Sequence, residues 1–122
     1  MATEIKYHLT AGGRKIAEII PGAEIIAGPD DVLDLMAEAR LNDSGSMIIH
    51  KKNLHPDFFD LKTKVAGEIL QKFSNYRMRL AIVGDFLEYK SKSLRDFIRE
   101  SNRTGTIYFV GSIDEALTRL ID

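Results

Sequence analysis

Apolar residues recur at helical spacing between residues 61 and 76, and an unbroken apolar run follows at residues 80–83. Wound at about 100° per residue, the first segment brings one set of side chains onto a single face: Leu61, Val65, Ile69, Phe73 and Tyr76. The run at 80–83, closed by a glycine and an aspartate, has the pattern of a strand buried on both faces. The pattern therefore predicts a long amphipathic helix, capped by Asp57 or Asp60, that leads into an interior strand of a parallel α/β sheet.

The rest of the chain continues this alternation of helices and strands. Apolar and polar residues alternate at 5–9, a glycine turn follows, and a second β-like run occupies 15–20. This order predicts an antiparallel hairpin, which residues 23–27 could extend by a short piece. Later helix-start signals and apolar runs predict a helix from 29 to 41, a strand at 47–49, a helix entered at Ser91 or Ser93, a strand at 106–110 and a last helix entered at Ser112. The predicted fold is α/β: the hairpin continues into a mainly parallel sheet with about four helices, in a single domain spanning residues 1–122.

Composition excludes several classes of protein. The formal net charge of −1 provides no global field for nucleic acid or anionic lipid, so nucleic acid is not an expected partner. The absence of cysteine excludes a disulfide framework and a cysteine-based zinc site. No segment has the signature of a signal peptide, and none approaches the about 18 apolar residues of a membrane span. We therefore expect a cytoplasmic protein without a cofactor or a metal.

The topology directs attention to one edge of the sheet. In open parallel sheets, ligands bind beyond the carboxyl ends of the strands. The predicted order delivers residues 50–60, 84–89 and 111–112 to that edge. The candidate partner-binding or ligand-binding residues there, and at the start of the central helix, are His55, Asp60, Lys62, Thr63, Gly67, Asp85, Phe86, Tyr89 and Ser112.

Known patterns of catalytic or metal-binding residues do not fit this set. A metal would have to use His50, His55 and neighbouring carboxylates, whose spacing fits no recognised motif; His8 lies on another element, so two exposed loop histidines are the favoured interpretation. Asp85 ends a buried strand, as does the phospho-accepting aspartate of receiver domains, but the further acidic residues that a receiver domain needs are missing. The favoured interpretation is that the Asp85 carboxylate accepts hydrogen bonds from nearby backbone N–H groups. No hydroxyl stands in a nucleophile pattern. Basic side chains line up along the third predicted helix, but acidic neighbours lie within ion-pairing distance, which favours a solvent-exposed helix face over a nucleic-acid site. No catalytic residue is predicted.

A glycine within the predicted central helix needs an explanation. Gly67 costs about 1 kcal/mol there relative to alanine, and Thr63, Gly67 and Ser74 form a seam of small side chains. Close approach of a neighbouring helix or of the sheet is the favoured interpretation. A docking surface for a partner protein is the alternative.

Three segments carry a resemblance to a known family: FFDLKTKVAGEILQKFSNYRMRLAIVGDF, LRDFIRESNR and IYFVGSIDEAL. They resemble a family of small bacterial proteins of unknown function, and the similarity covers most of the chain from Asp57 onward. The order of elements, from the hairpin to the final Ser-x-Asp-Glu-Ala-Leu helix, is similar to that of the anti-sigma-factor antagonist (STAS-like) domains. That second resemblance implies a βα superhelical sheet that binds protein partners, and sometimes nucleotides or lipids.

Switching members of the STAS-like family carry Asp-Ser-Ser-Gly or Asp-Ser-Thr-Gly at the start of the central helix, where a partner kinase phosphorylates the hydroxyl. The corresponding stretch here is Asp60-Leu61-Lys62-Thr63, in which the carboxylate matches, the hydroxyl comes two residues late and the glycine is missing. We therefore expect a non-enzymatic regulatory or adaptor domain that binds a protein partner near the N-terminus of the central helix, with Thr63 as a candidate phosphosite. The alternative is a small-molecule or anion-binding protein, or a small enzyme, that uses the cleft beyond the strand ends. A homodimer paired through the edge strand at 5–9 is a third possibility.

Overall fold

The computed structural model describes residues 4–21, 26–105 and 107–121. Within these residues the strands and helices follow in the order β1 Ile5–Leu9, β2 Lys15–Ile19, α1 Pro29–Leu41, β3 Ser44–His50, α2 Val65–Asn75, β4 Arg79–Val83, α3 Lys92–Thr104, β5 Ile107–Val110 and α4 Ile113–Leu120. Three short turns of 3-10 helix link β3 to α2: Lys51–Asn53, Pro56–Phe59 and Leu61–Thr63. The element order confirms the predicted α/β class.

One five-stranded sheet, in the order β1-β2-β3-β4-β5, forms the centre of the fold. β1 pairs with β2 antiparallel, and every later pair is parallel. Because successive right-handed crossovers all step in the same direction along the sheet, their helices fall on one face. Helices α1, α2 and α3 accordingly share one core with that face, and α4 packs on the other.

Strand β4 lies between these two layers, as its apolar run predicts. Leu80 and Ile82 belong to the larger core beneath α1 and α2, whereas Ala81 belongs to the smaller core beneath α4. All three are fully buried. The interior position of β4, flanked by β3 and β5, is therefore confirmed.

The central helix is shorter than the pattern predicts. Helix α2 begins at Val65, and the preceding residues form 3-10 turns, with i to i+3 bonds such as Thr63 N to Asp60 O at 3.0 Å. Lys64 then adopts a left-handed conformation (φ 66°), which redirects the chain into α2. Asp60 caps the last 3-10 turn rather than α2. At the other end, Tyr76 lies beyond the helix and is 56% exposed, so its assignment to the buried face is wrong.

The expected close contact at Gly67 is also wrong. This glycine occupies the first turn of α2, is exposed, and a Cβ added to it would meet nothing within 4 Å among the described residues. The seam of small side chains is therefore open to solvent at this position. Its role as a docking surface stays a prediction.

The remaining elements follow the sequence closely. Ser91 caps α3 and Ser112 caps α4, each accepting from the backbone N–H three residues on. The possible short strand at 23–27 lies mostly outside the described residues, although Ile26 forms a single parallel bridge with Leu54. None of the described helices has the length and apolar character needed to cross a membrane.

Candidate functional site at the carboxyl ends of the strands

The three parallel strands β3, β4 and β5 end side by side, and the loop of residues 84–89 rises between two clefts at that edge. The larger cleft, of about 820 Å³, lies between this loop, α3 and the end of β5. The smaller cleft, of about 620 Å³, lies between the loop and the 3-10 turns after β3. The loop itself is thus the shared wall of both clefts.

An aromatic cluster formed by Phe59, Phe86 and Tyr89 holds the loop in place. Tyr89 stacks on Phe59 with ring centroids 5.1 Å apart and planes 16° from parallel. Phe86 packs on Phe59 at 6.0 Å and edge-on against the core residue Phe109 at 5.3 Å. Phe86 and Tyr89 are both half-buried, because their rings fasten the loop to the core.

Lys51 lies against this cluster. Its Nζ stands 4.7 Å from the Tyr89 centroid and 5.9 Å from those of Phe59 and Phe86, distances at which a cation interacts with ring faces. It donates to the Asp85 carbonyl at 2.9 Å and pairs with Glu88. Burial alone would lower the pKa of Lys51, but the hydrogen bonds and charges of Glu88 and Tyr89 outweigh it and raise the pKa. The ammonium is therefore retained as a cation that bridges β3 to the loop.

Gly84 makes this arrangement possible. A Cβ at this position would stand 2.6 Å from Cβ and 3.0 Å from Cδ of Lys51, far inside van der Waals contact. The lysine stem therefore crosses directly over the glycine backbone, and any larger residue would displace it.

A buried carboxylate links strands β1, β2 and β3 on the α4 face of the sheet. Glu18, in β2, is only 7% exposed, and its two oxygens lie 2.7 Å from Nε2 of His8 and 2.7 Å from Nε2 of His50. Burial alone would raise the pKa of Glu18, but the hydrogen bonds and charges of the two histidines outweigh it and hold the pKa below its ordinary value. The carboxylate thereby fixes the His50 ring, which lines the smaller cleft.

The expectation of two exposed loop histidines is therefore wrong for His50, the last residue of β3, whose side chain is 14% exposed. It holds better for His55, whose side chain is 44% exposed and whose Nδ1 accepts from the Asp57 backbone at 3.0 Å. Within the described ranges, no group of three or more histidine and carboxylate side chains is placed to hold a metal ion.

The structure divides the predicted site residues into separate groups. Asp85 lines both clefts, Phe86 lines the larger and Tyr89 the smaller. Gly67 lines a different, open cleft on α2, and Ser112 serves as the cap of α4. The Asp85 carboxylate accepts from Leu87 N at 3.0 Å, which agrees with the favoured interpretation of a locally bonded aspartate.

The 3-10 turns after β3 carry the other predicted residues. Asp60 accepts from Lys62 N at 3.2 Å. The one hydroxyl proton of Thr63 is shared between the carbonyl oxygens of Asp57 and Asp60, at 2.7 and 2.8 Å, and the hydroxyl oxygen accepts from Val65 N at 3.3 Å. These side chains therefore stabilise the turns, and Thr63 already uses its hydroxyl within the fold.

The larger cleft combines an apolar floor with a basic rim. Phe86, Phe109 and Ile98 are among the residues lining it, and Leu87, 95% exposed, stands at its margin. Arg95 on α3 makes no ion pair with any carboxylate of the described residues, whereas the next arginine along the rim, Arg99, pairs with Asp96. Lys92 also pairs with Asp96, at 2.9 Å, as expected for a solvated helix face.

Six residues that organise this edge were not predicted as site residues: His8, Glu18, Lys51, Phe59, Leu87 and Arg95. One signal was present, because Glu18 is an acidic residue inside the otherwise apolar second half of β2. The contacts of Lys51 with Phe59 and with the loop of residues 84–89 carry no local sequence signal.

The fold and these clefts define a small α/β domain with two clefts beyond the carboxyl ends of its parallel strands. Residues 11–120 match the model of a family described as "Domain of unknown function (DUF4180)", and the chain belongs to that family. Comparison with curated proteins and with solved structures gives no match. The predicted membership of an uncharacterised family is confirmed, and the likeness to STAS-like domains stays a prediction.

Proposed function

We propose that this protein is a non-enzymatic regulatory or adaptor domain that binds a segment of a partner protein in the larger cleft. The observation that carries the proposal is Leu87, which is 95% exposed on the rim of an open cleft of about 820 Å³ with aromatic side chains in its floor. A single exposed leucine is ordinary. An exposed leucine beside an apolar cleft offers a continuous apolar contact surface.

The loop that presents Leu87 is pre-organised. Asp85 bonds the Leu87 N–H, and Lys51 bonds the Asp85 carbonyl at 2.9 Å. Phe86 anchors the neighbouring position in the core. Because the backbone of this loop is already ordered before a partner binds, the entropic cost of association is lower.

The rim indicates the chemistry of the partner. Arg95 projects its charge beside the apolar floor without an ion-pair partner in the described part of the chain. A segment that places an apolar side chain in the cleft and a carboxylate against Arg95 satisfies both features. The expected partner is thus a protein segment with mixed acidic and apolar residues.

The test is affinity capture from the native host with wild-type protein, Leu87→Asp and Leu41→Asp. Leu41, at the end of α1, is 83% exposed and provides a matched control for adding a charge at an exposed leucine. A true partner is lost with Leu87→Asp and retained with Leu41→Asp, and titration calorimetry with the purified partner then shows at least tenfold weaker binding to Leu87→Asp. Equal binding to the two variants would refute the proposal.

The amino end of α2, with Thr63 and Gly67, is a further proposed part of the partner surface. Phosphorylation of Thr63 would remove its donor bonds to Asp57 and Asp60, so it would act by opening the 3-10 turns. Intact mass of protein purified from its host tests this step, and absence of added phosphate under all growth conditions contradicts it. Binding that survives Gly67→Arg would limit the surface to the larger cleft.

The smaller cleft supports a second candidate function, the binding of a small molecule or anion. His50, oriented by the buried Glu18, lines this cleft together with Lys52 and the apolar side chains of Leu54 and Phe59. An aromatic carboxylate fits such a combination of positive and apolar groups. A thermal-shift series with benzoate, salicylate and indole acetate tests it. No increase in the unfolding midpoint at millimolar ligand would count against this candidate.

A further inference from the structure

The first strand of the sheet, β1, pairs on one side only. It stands at the end of the strand order, and its neighbour among the described strands is β2. In an antiparallel pair, residues that exchange hydrogen bonds with the neighbour alternate with residues whose N–H and C=O point away from it. Ile20 N donates to Glu4 O at 3.1 Å, and Thr10 N donates to Arg14 O at 3.0 Å. The even-numbered residues of β1 therefore bond to β2.

The odd-numbered residues of β1, Ile5, Tyr7 and Leu9, consequently direct their backbone groups outward. No hydrogen bond from another described residue reaches the N–H or the C=O of these three residues. Such a row of free donors and acceptors is a template for pairing with a further strand.

The other outer strand, β5, is protected against pairing. The Asn102 side chain accepts from the N–H of Phe109 at 2.6 Å and donates to its C=O at 3.2 Å, so it takes the place of a neighbouring strand. No described side chain covers β1 in this way. The strand contains no proline and pairs with β2 without a bulge, and Lys6 is its one lysine, so it has few of the devices that prevent edge pairing.

The side chains of β1 also leave an apolar surface at this edge. Ile5, Tyr7 and Leu9 share one face of the strand, because side chains alternate between faces. Ile5 and Tyr7 pack against the larger core, whereas Leu9 is 74% exposed. The core thus continues to the open edge of the sheet and ends there in an uncovered leucine.

We propose that two copies of this protein pair their β1 strands antiparallel about a twofold axis at Tyr7, so that the two five-stranded sheets form one continuous sheet. Ile5 then stands opposite Leu9 of the second copy, and Tyr7 stands opposite its own counterpart. Each of these pairs exchanges two backbone hydrogen bonds, which uses every outward N–H and C=O of the strand. The exposed Leu9 side chain packs against Ile5 of the second copy on the same face. This surface is independent of the partner-binding cleft, which lies beside β5.

The two neighbouring registers that keep matching faces together are less favourable. A shift in one direction places Lys6 opposite Lys6 of the second copy, and like charges directly opposite are destabilising. A shift in the other direction leaves Ile5 without a counterpart in β1. In the proposed register Lys6 stands opposite His8, whose Nε2 is already bonded to Glu18 at 2.7 Å. Because the contact is built on one five-residue strand from each copy, we expect a reversible dimer.

Sedimentation equilibrium over a series of protein concentrations tests the dimer. We expect wild-type protein to change from monomer to dimer as its concentration rises. Leu9→Asp is expected to weaken association at least tenfold, because it places a carboxylate against Ile5 of the second copy. Leu41→Asp, the same substitution at a leucine that is 83% exposed on α1, is expected to leave association unchanged. Wild-type protein that stays monomeric up to about 1 mM refutes the proposal, and so do equal effects of the two substitutions.

Disulfide trapping tests the register. The chain has no cysteine, so a disulfide formed by single-cysteine variants joins two copies. Ile5→Cys in one copy and Leu9→Cys in the other place their sulfurs on directly opposite residues, whose Cα separation of about 5.5 Å a disulfide can span. Two copies of either variant alone hold their sulfurs roughly 13 Å apart along the strand, which is too far.

We therefore expect mild oxidation to give covalent dimer from an equal mixture of Ile5→Cys and Leu9→Cys, and at least tenfold less from either variant alone. Absence of covalent dimer from the mixture overturns the proposed register. Equal yields from the mixture and from each variant alone overturn it as well, because collisional oxidation would then account for the product.

Discussion

Replacement of Gly84 by alanine tests how the carboxyl edge is built. The added methyl group would stand 2.6 Å from Cβ, 3.0 Å from Cδ and 3.3 Å from Cγ of Lys51. The Cβ atom is fixed to the backbone, so rotation of the lysine side chain relieves only the longer contacts. The backbone of β4 or of the turn after β3 must therefore shift.

The expected cost follows from two contributions. Overpacking of a well-packed site costs about 1–3 kcal/mol. Displacement of Lys51 from the aromatic cluster removes cation–π contacts worth about 0.5–1 kcal/mol at a partly exposed site. We expect Gly84→Ala to lower the free energy of unfolding by about 1.5–4 kcal/mol in total.

Urea denaturation, followed by circular dichroism, measures this change, with Gly111→Ala as the matched control. Gly111 follows β5 as Gly84 follows β4, but a Cβ there meets nothing within 4 Å among the described residues. The control is expected to be neutral or more stable by up to about 1 kcal/mol. In a Lys51→Gly background, Gly84→Ala should lose most of its cost, giving a coupling energy above about 1 kcal/mol. Equal stability of Gly84→Ala and Gly111→Ala would refute the proposed contact.

Three further predictions concern other parts of the fold. The pKa of Glu18 is lowered from its ordinary value of 4.5, so its contribution to stability is present above about pH 4.5 and is lost as the pH falls through the lowered value. In urea unfolding, Glu18→Gln should therefore lower the free energy of unfolding more at pH 7 than at pH 3. A loss of stability that does not depend on pH would contradict this. The Asn102 amide accepts from the N–H of Phe109 at 2.6 Å and donates to its carbonyl at 3.2 Å, and so occupies the outer edge of β5. Because exposed strand edges pair, Asn102→Ala should increase concentration-dependent self-association in sedimentation velocity. Unchanged sedimentation would argue against this role of Asn102. Gly67→Ala should raise the free energy of unfolding by about 0.5–1 kcal/mol, because the glycine is helical, exposed and uncrowded; a destabilised variant would show that its surroundings are more crowded than the structure indicates.

The architecture could be predicted because its signals are local. The run at 80–83 is apolar at every position, and a strand between two helical layers is the arrangement that buries both of its faces. The alternation of residues 5–9 likewise identified β1. Serine caps located the starts of α3 and α4, because a cap requires only residues that are near one another in sequence.

The start of α2 could not be predicted for a related reason. Turns of 3-10 helix repeat apolar residues at a spacing close to that of an α-helix, so Leu61 appeared continuous with the stripe that follows it. The break occurs at Lys64, whose left-handed conformation is more typical of glycine or asparagine. Residue type therefore gave no warning of the change in direction.

The candidate site was predicted in position but not in composition. The topology placed Asp85, Phe86 and Tyr89 at the carboxyl edge, where they line the two clefts. Lys51 and Phe59 were missed because their contacts depend on how the connection between β3 and α2 folds back onto the loop. Contacts between loops distant in sequence are set by tertiary packing, which residue patterns do not encode.

The position of Glu18 has a physical explanation in the unequal covering of the sheet. Three helices pack on one face, whereas α4 is the one described helix on the other, where most of its contacts are with β4 and β5 and its core extends to Ile16 of β2. An apolar residue on the uncovered part of that face would meet water, and a lone carboxylate there would lose solvation without gaining a partner. The two histidines solve both problems, because their rings shield the carboxylate and satisfy its oxygens at 2.7 Å each. An acidic residue within an apolar strand can therefore mark where the covering helix ends, and in this protein that boundary lies at β2.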